Sequence, residues 1–240
     1  MSDSPFPAGI VIHAFTEAER SLGEIMHTVP YCRKHEEVWS PRFGEMLRNL
    51  CCQLDSLWRQ EAPSGDKFRK NLNMKDYHKH FSNDFQKRFV VFWGEHGGRV
   101  LAPFREWETN SDLSWWTAHN DVKHDSVTHR ERGTLKNVCL ATAGLFVAIV
   151  KSKLCLGDLL ATDWYLPQLS HKESSASWLT SEQAWEERAL VIESKQFSYP
   201  VGASLDIENT ALMRGSPVTP SYRFRDWLGR TKGQRFRDLI

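Results

Sequence analysis

Trp115-Trp116-Thr117-Ala118-His119-Asn120-Asp121-Val122-Lys123-His124-Asp125, followed by an apolar run that begins at Leu135, is the stretch from which the fold is read. In its first part, aromatic bulk stands directly against Asn, Lys and His, with no Gly or Pro to interrupt a helix. In the second, Leu135, Val138, Thr142, Leu145 and Ile149 recur at alternating steps of three and four, the spacing that lines one helix face. The expectation is a polar helix that delivers His124 to the edge of a pocket, with a buried helix behind it as the pocket's wall.

Helical spacing also says which side chains can act together. Residues four apart lie one above the other, so Asn120 and His124 share a face with Trp116, while Asp121 reaches His124 at a step of three. A carboxylate beside an imidazole fixes its tautomer and raises its basicity, and Lys123 next to it can hold an anion such as phosphate. The same residues also read as a hydrogen-bonded structural histidine on an amphipathic helix. Both readings stay open at this point.

A chain of 240 residues supports one main domain with an appendage. Its formal net charge of +1 provides no global drive toward nucleic acid or an acidic membrane, so any such affinity must come from a local patch. Ten Trp residues exceed the usual complement, which leaves a Trp-rich interaction surface as one option. Cys32, Cys51, Cys52, Cys139 and Cys155 form no C-x-x-C pair, which favours reduced thiols in a cytoplasmic protein. Met1-Ser2-Asp3-Ser4-Pro5 lacks the basic start of a signal peptide, and the apolar window Val138 to Val150 is short of the roughly 20 residues that span a bilayer.

Along the chain, Thr16-Glu17-Ala18-Glu19 reads as a capping box opening a helix with the stripe Leu22, Ile25, Met26 and Val29, which stops at Pro30. Ser40-Pro41 opens a second, whose Phe43, Leu47, Leu50, Leu54 and Leu57 follow in steps of four and three. Asn73 caps a third, carrying Tyr77, Phe81 and Phe85. The segment 88–102 reads as a hairpin, and 132–156 as one long helix whose Ala141, Gly144 and Ala148 admit a close neighbour. Thr180-Ser181-Glu182-Gln183 suggests a helix near 180–192; Gln196 to Pro200, Ser204 to Ile207 and Ser221 to Phe224 suggest strands or extended loops. The fold class is therefore mainly α: a helical domain over 1–160 and a mixed extension over 161–240.

From Arg214 onward seven cations face two acids, a local excess of +5. Arg223, Arg225, Arg230 and Arg235 are candidate phosphate contacts, with Tyr222, Phe224, Trp227 and Phe236 as stacking surfaces for bases, or else the stretch is a solvated tail. P-loop, dinucleotide-binding, zincin and serine-hydrolase motifs do not occur. His119, His124 and His129 recur at steps of five, off one another's face, so neither a metal nor another cofactor is expected.

The pattern Trp-Trp-x-x-x-Asn-x-x-Lys-His-Asp, followed by Leu135-Lys136-Asn137-Val138 and an Ala/Leu-rich helix, resembles HEPN-type helical proteins over residues 103–156. Their signature is an Arg, often followed by a polar residue, with a His four to six residues after the Arg. The resemblance implies a compact helical bundle that dimerises across a shared cleft. It also implies one of two activities: metal-independent RNA cleavage in a defence or toxin system, or non-catalytic binding of RNA or protein. Asn120 matches the polar position and His124 the catalytic His as general acid/base, with Lys123 as phosphate contact. His119 occupies the Arg position, and an imidazole lacks the permanent bidentate charge of a guanidinium, so Arg105 or Arg130 would have to help supply it. Trp116 and Asp121 complete the expected substrate surface. Expected partners are RNA, a protein or a second copy, and no membrane.

Overall fold

The computed structural model describes residues 6–63, 72–94, 97–159, 161–164, 191–201, 203–208 and 221–240. Among these the chain is mainly helical, with a small four-stranded antiparallel sheet. Helices α1 (Ala8–Met26), α2 (Pro41–Glu61), α3 (Met74–Phe85), α4 (Ser114–His124) and α5 (Leu135–Lys151) form the bundle. A short α6 (Leu156–Leu159) follows them, and α7 (Tyr222–Arg230) lies near the C-terminus. The strands are β1 (Val90–Gly94), β2 (Gly97–Leu101), β3 (Val191–Glu193) and β4 (Phe197–Pro200).

Local chemistry accounts for the helix starts. The Ser40 hydroxyl accepts the Phe43 N–H, and Pro41 occupies the position where a missing N–H costs nothing. Asn73 and Asp76 make a reciprocal capping box at α3, and Thr134 caps α5 through the Asn137 N–H. Thr16, by contrast, opens nothing. α1 begins eight residues earlier at Ala8, and the Thr16 hydroxyl donates back to the Ile12 carbonyl inside the helix.

α5 is the axis of the core, buried on nearly every side from Leu135 to Val150. It is shorter than the expected 132–156 helix: Ser152 leaves helical geometry, and its hydroxyl accepts the Leu154 and Cys155 N–H groups. Gly144 lets the Phe104 and Trp115 rings close on α5, since an added Cβ would lie 3.3 and 3.4 Å from them. Five tryptophans are buried in this core among the described residues. Trp58 alone has Tyr77, Phe81, Phe104, Trp107 and Trp116 rings around it at centroid distances of 5.2 to 6.3 Å. Trp58, Trp107, Trp115, Trp116, Trp164 and Trp227 are all buried, so a Trp-rich surface is corrected to a Trp-rich interior among the described residues.

The 88–102 hairpin is present as β1 and β2, but it is half of a larger sheet in the order β2-β1-β4-β3. β4 pairs with β1 through Val91↔Ser198 and Phe92↔Phe197, so the stretch set apart as an extension is woven into the first domain's hairpin. Phe92, Leu101, Ile192, Phe197 and Tyr199 join the helical core, while Phe89, Val91, Val100 and Val191 join a second core. That second core is closed by Phe224, Trp227, Leu228 and Phe236. Ser221 to Phe224, expected as strand or extended loop, is instead the capped start of α7, with the Ser221 hydroxyl accepting the Phe224 N–H. Residues 204–207, expected as strand or extended loop, are loop and turn. Of the helix expected near 180–192, residues 180–190 lie outside the described residues and 191–193 are β3. On α1, Glu19 is buried and takes the Ser194 hydroxyl and the Gln196 N–H, tying the bundle to the β3–β4 turn.

Candidate functional site

α4 starts where the Ser114 N–H is taken by Glu106, and ends as Asp125 turns extended. Trp115, Ala118, His119 and Val122, at steps of three, one and three, form its buried face. That face fixes the fate of the expected site. His119 is 3% exposed with its ring 5.5 Å from Trp116, and its Nδ1 is buried without a hydrogen bond. Burial, reinforced by the Lys123 charge, pushes its imidazole down to about 4, so it is neutral at pH 7. His119 and Trp116 are therefore core residues and do not form part of an open substrate surface.

Asn120, Lys123 and His124 are exposed at the far end of α4, and no hydrogen bond or ion pair engages their side chains among the described residues. The expected Asp121–His124 pairing is corrected. Asp121 faces Arg132 at 3.6 Å, and Asp125 accepts the Val127 and Thr128 N–H groups, which hold its carboxyl below the usual range. His124 thus has an accessible ring but no orienting carboxylate, and the cavity described below is not lined by it.

The Asp121–Arg132 pair brings the end of α4 against the 3₁₀ turn Arg130–Arg132. There the Arg130 guanidinium lies 5.6 Å over the ring of Trp39, which is 42% exposed. Trp39 bridges Thr134 at the start of α5, and Gly133 packs so closely on Gly44 that a Cβ would meet its backbone at 2.7 Å. The flat ring and the cation therefore stand on a rigid base. Val38 and Val127, 37% and 73% exposed, belong to the same segments. Nothing in the sequence pattern singled out Trp39; only its exposure does.

The basic tail is a structural element among the described residues. Phe224, Trp227 and Phe236 are buried, and of the four aromatics only Tyr222 is open. Arg223 donates to Glu193 and to the Ser194 and Lys195 carbonyls, with its guanidinium 5.0 Å over Trp93. Arg230 pairs with Asp226, while Arg225 and Arg235 stay exposed. Arg237, outside the expected set, holds Glu108 with two bonds of 2.9 and 2.7 Å and reaches Asp206 at 3.0 Å.

Arg105 belongs to a different place, a cavity of about 320 Å³ walled by β2 and the segment after it, the Tyr31–Glu36 loop, the starts of α4 and α5, and the C-terminal Leu239 and Ile240. Arg99 and Lys136 share its wall with Arg105, and Glu36 and Glu106 supply the acids. A sequence signal for Arg99 existed: on β2 it has the parity of the core residue Leu101.

All five cysteines are free thiols; Cys51, Cys139 and Cys155 are buried, and burial pushes Cys155 up to about 11. Among the described residues no cluster of three or more His, Cys, Asp or Glu could hold a metal ion, and no helix is long and apolar enough to cross a membrane. Comparison with known protein families, curated proteins and solved structures finds no match.

Proposed function

We propose that this chain is a HEPN-like binding module that holds single-stranded RNA against the Trp39–Arg130 face without cutting it. The observation that carries this is the exposed indole with a guanidinium over it, beside Lys123 and His124. A base stacked on an aromatic ring contributes about 1–3 kcal/mol, whereas an exposed cation–π contact is worth about 0.5–1 kcal/mol. A base therefore displaces Arg130 from the ring at little cost, and the freed guanidinium takes the phosphate. Support for the HEPN-like reading is the packing of α4, with Asn120 and His124 on its open side, against the long buried α5. The neutral, buried His119 argues against the nuclease reading, since a family-like mechanism needs a permanent cation at that position.

The test is retention of a mixed-sequence single-stranded RNA on a filter, in chelator, at low and high salt. Wild type retains intact RNA and releases it as salt rises. Trp39→Ala weakens retention about tenfold, equivalent to about 1.4 kcal/mol, and His124→Ala changes little. RNA cut by wild type and spared by His124→Ala would establish the nuclease instead. Equal retention by Trp39→Ala sinks the proposed face. The exposed Val38 and Val127 favour a second reading, contact with a protein or a second copy. It predicts no RNA retention and a dimer in light scattering that Val127→Asp dissociates.

A further inference from the structure

β2 is one of the two edge strands of the sheet, and strand side chains alternate in direction. Arg99 therefore faces the helical bundle with Leu101, while Gly98 and Val100 face the second core. Standing across from Phe92, the guanidinium lies 5.2 Å over the Tyr31 ring, and Tyr31 itself packs on Phe92 at 5.7 Å. A charged group has thus been turned inward from an edge strand and fixed by a buried aromatic.

Its partners do not account for it. The Arg99 Nη1 is buried without a hydrogen bond, and the nearest carboxylate oxygen, on Glu36, is 4.0 Å away. The other Glu36 oxygen is 3.9 Å from Lys136 Nζ. A charge-assisted N–H···O bond closes to about 2.7–2.9 Å. One carboxylate therefore lies between two cations as a long ion pair to each and is hydrogen-bonded to neither. Arg105 adds a third cation to the wall, while the second acid, Glu106, is committed to the Ser114 N–H at the start of α4. Leu101 and Leu140 supply an apolar side. The volume is at the low end of small-molecule pockets, too small for a folded partner.

We propose that this cavity binds a small molecule through an oxyanion, a phosphate monoester or a carboxylate, seated between Arg99 and Lys136 with its apolar body against Leu101 and Leu140. The guanidinium supplies paired donors that match either group, and Lys136 adds a point charge. Trp39 and His124 do not line the cavity, so this site stands or falls independently of the RNA face.

The experiment is calorimetric titration of the full chain with phenyl phosphate and with benzoate. At least one binds saturably, and which of the two binds identifies the oxyanion. Arg99→Met and Lys136→Met each weaken binding about tenfold or more, Glu36→Gln tightens it by removing the competing carboxylate, and Trp39→Ala leaves it unchanged. Lys136 is half-buried, so its variant keeps the test valid should Arg99→Met fail to fold. The proposal is overturned if neither probe binds wild type or Glu36→Gln, or if binding is indifferent to both Met variants. Self-association of Arg99→Met with probe binding intact also overturns it, since an inward charge on an edge strand would then serve only to block strand pairing.

Discussion

Among the described residues two arginines lie over tryptophan rings, and they have opposite fates. Arg223 on α7 sits over Trp93, whose indole N–H donates to the Ser198 hydroxyl at 2.6 Å; Ser198 in turn donates to Glu193, and Glu193 pairs with Arg223. The four residues close a ring across α7, β1, β4 and β3, in which each side chain holds the next. Arg130 sits over Trp39 with no other side-chain partner among the described residues. The same pair of residue types is a rivet in one place and an open hand in the other. What separates them is whether carboxylates and carbonyls surround the cation, which residue type alone does not reveal.

The largest effect follows from the closed ring. Glu193 is 3% exposed, so Arg223→Ala leaves a buried carboxylate without its counter-charge and two carbonyls without their donor. The expected loss is about 4 kcal/mol of stability, read as a lower urea midpoint. Adding Glu193→Gln to Arg223→Ala recovers part of it, because the unpaired charge is gone. A loss under about 1 kcal/mol would place Arg223 with Arg130 and break the comparison.

The same distinction governs what was legible in the sequence. Ser40-Pro41 with Phe43, Leu47, Leu50, Leu54 and Leu57, Asn73 before α3, and the Leu135-to-Ile149 stripe are local signals, and each marks an element that formed. The β1–β4 pairing joins Val91 to Ser198, residues with no local relation, so the sheet beyond the hairpin left no trace in spacing. Ser221 to Phe224 reads as strand or extended loop from its short, turn-flanked aromatic pattern, whereas the Ser221 cap starts α7 there. On α4 the signal was present but read on the wrong face. Trp115, Ala118, His119 and Val122 mark the buried stripe, which puts His119 inside and leaves His124 out. Of the expected site residues, those at the end of α4 and Arg130 share one end of the molecule, Arg105 belongs to the cavity, and Arg223 belongs to the scaffold.

The second effect extends the contrast to the two histidines of α4. The unfolded His119 takes up a proton near 6.5, whereas the folded one resists until about 4. The unfolded state therefore binds more protons in between. The His119 contribution is complete above pH 6.5, is lost as pH falls through that window, and stops changing below about 4. The loss across the window is about 3 kcal/mol. His119→Phe, a ring that does not titrate, removes it, and subtracting the two stability-versus-pH curves isolates the contribution from the carboxylates. A wild-type curve that parallels the variant's would mean that the His119 ring reaches water in the folded state.

The smallest effect tests the open pair directly. An exposed cation over an indole stabilises by about 0.5 kcal/mol, so Arg130→Ala shifts the urea midpoint hardly at all, against about 4 kcal/mol for Arg223→Ala. Its effect on RNA goes the other way. Retention weakens and its salt dependence becomes shallower by about one phosphate contact, while Arg223→Ala, measured where it is still folded, leaves both as in wild type. The two readouts must cross for the comparison to hold. If Arg130→Ala costs stability as Arg223→Ala does, Trp39 and Arg130 are a second rivet, and the exposed indole is only the outer surface of the joint between α2 and α5.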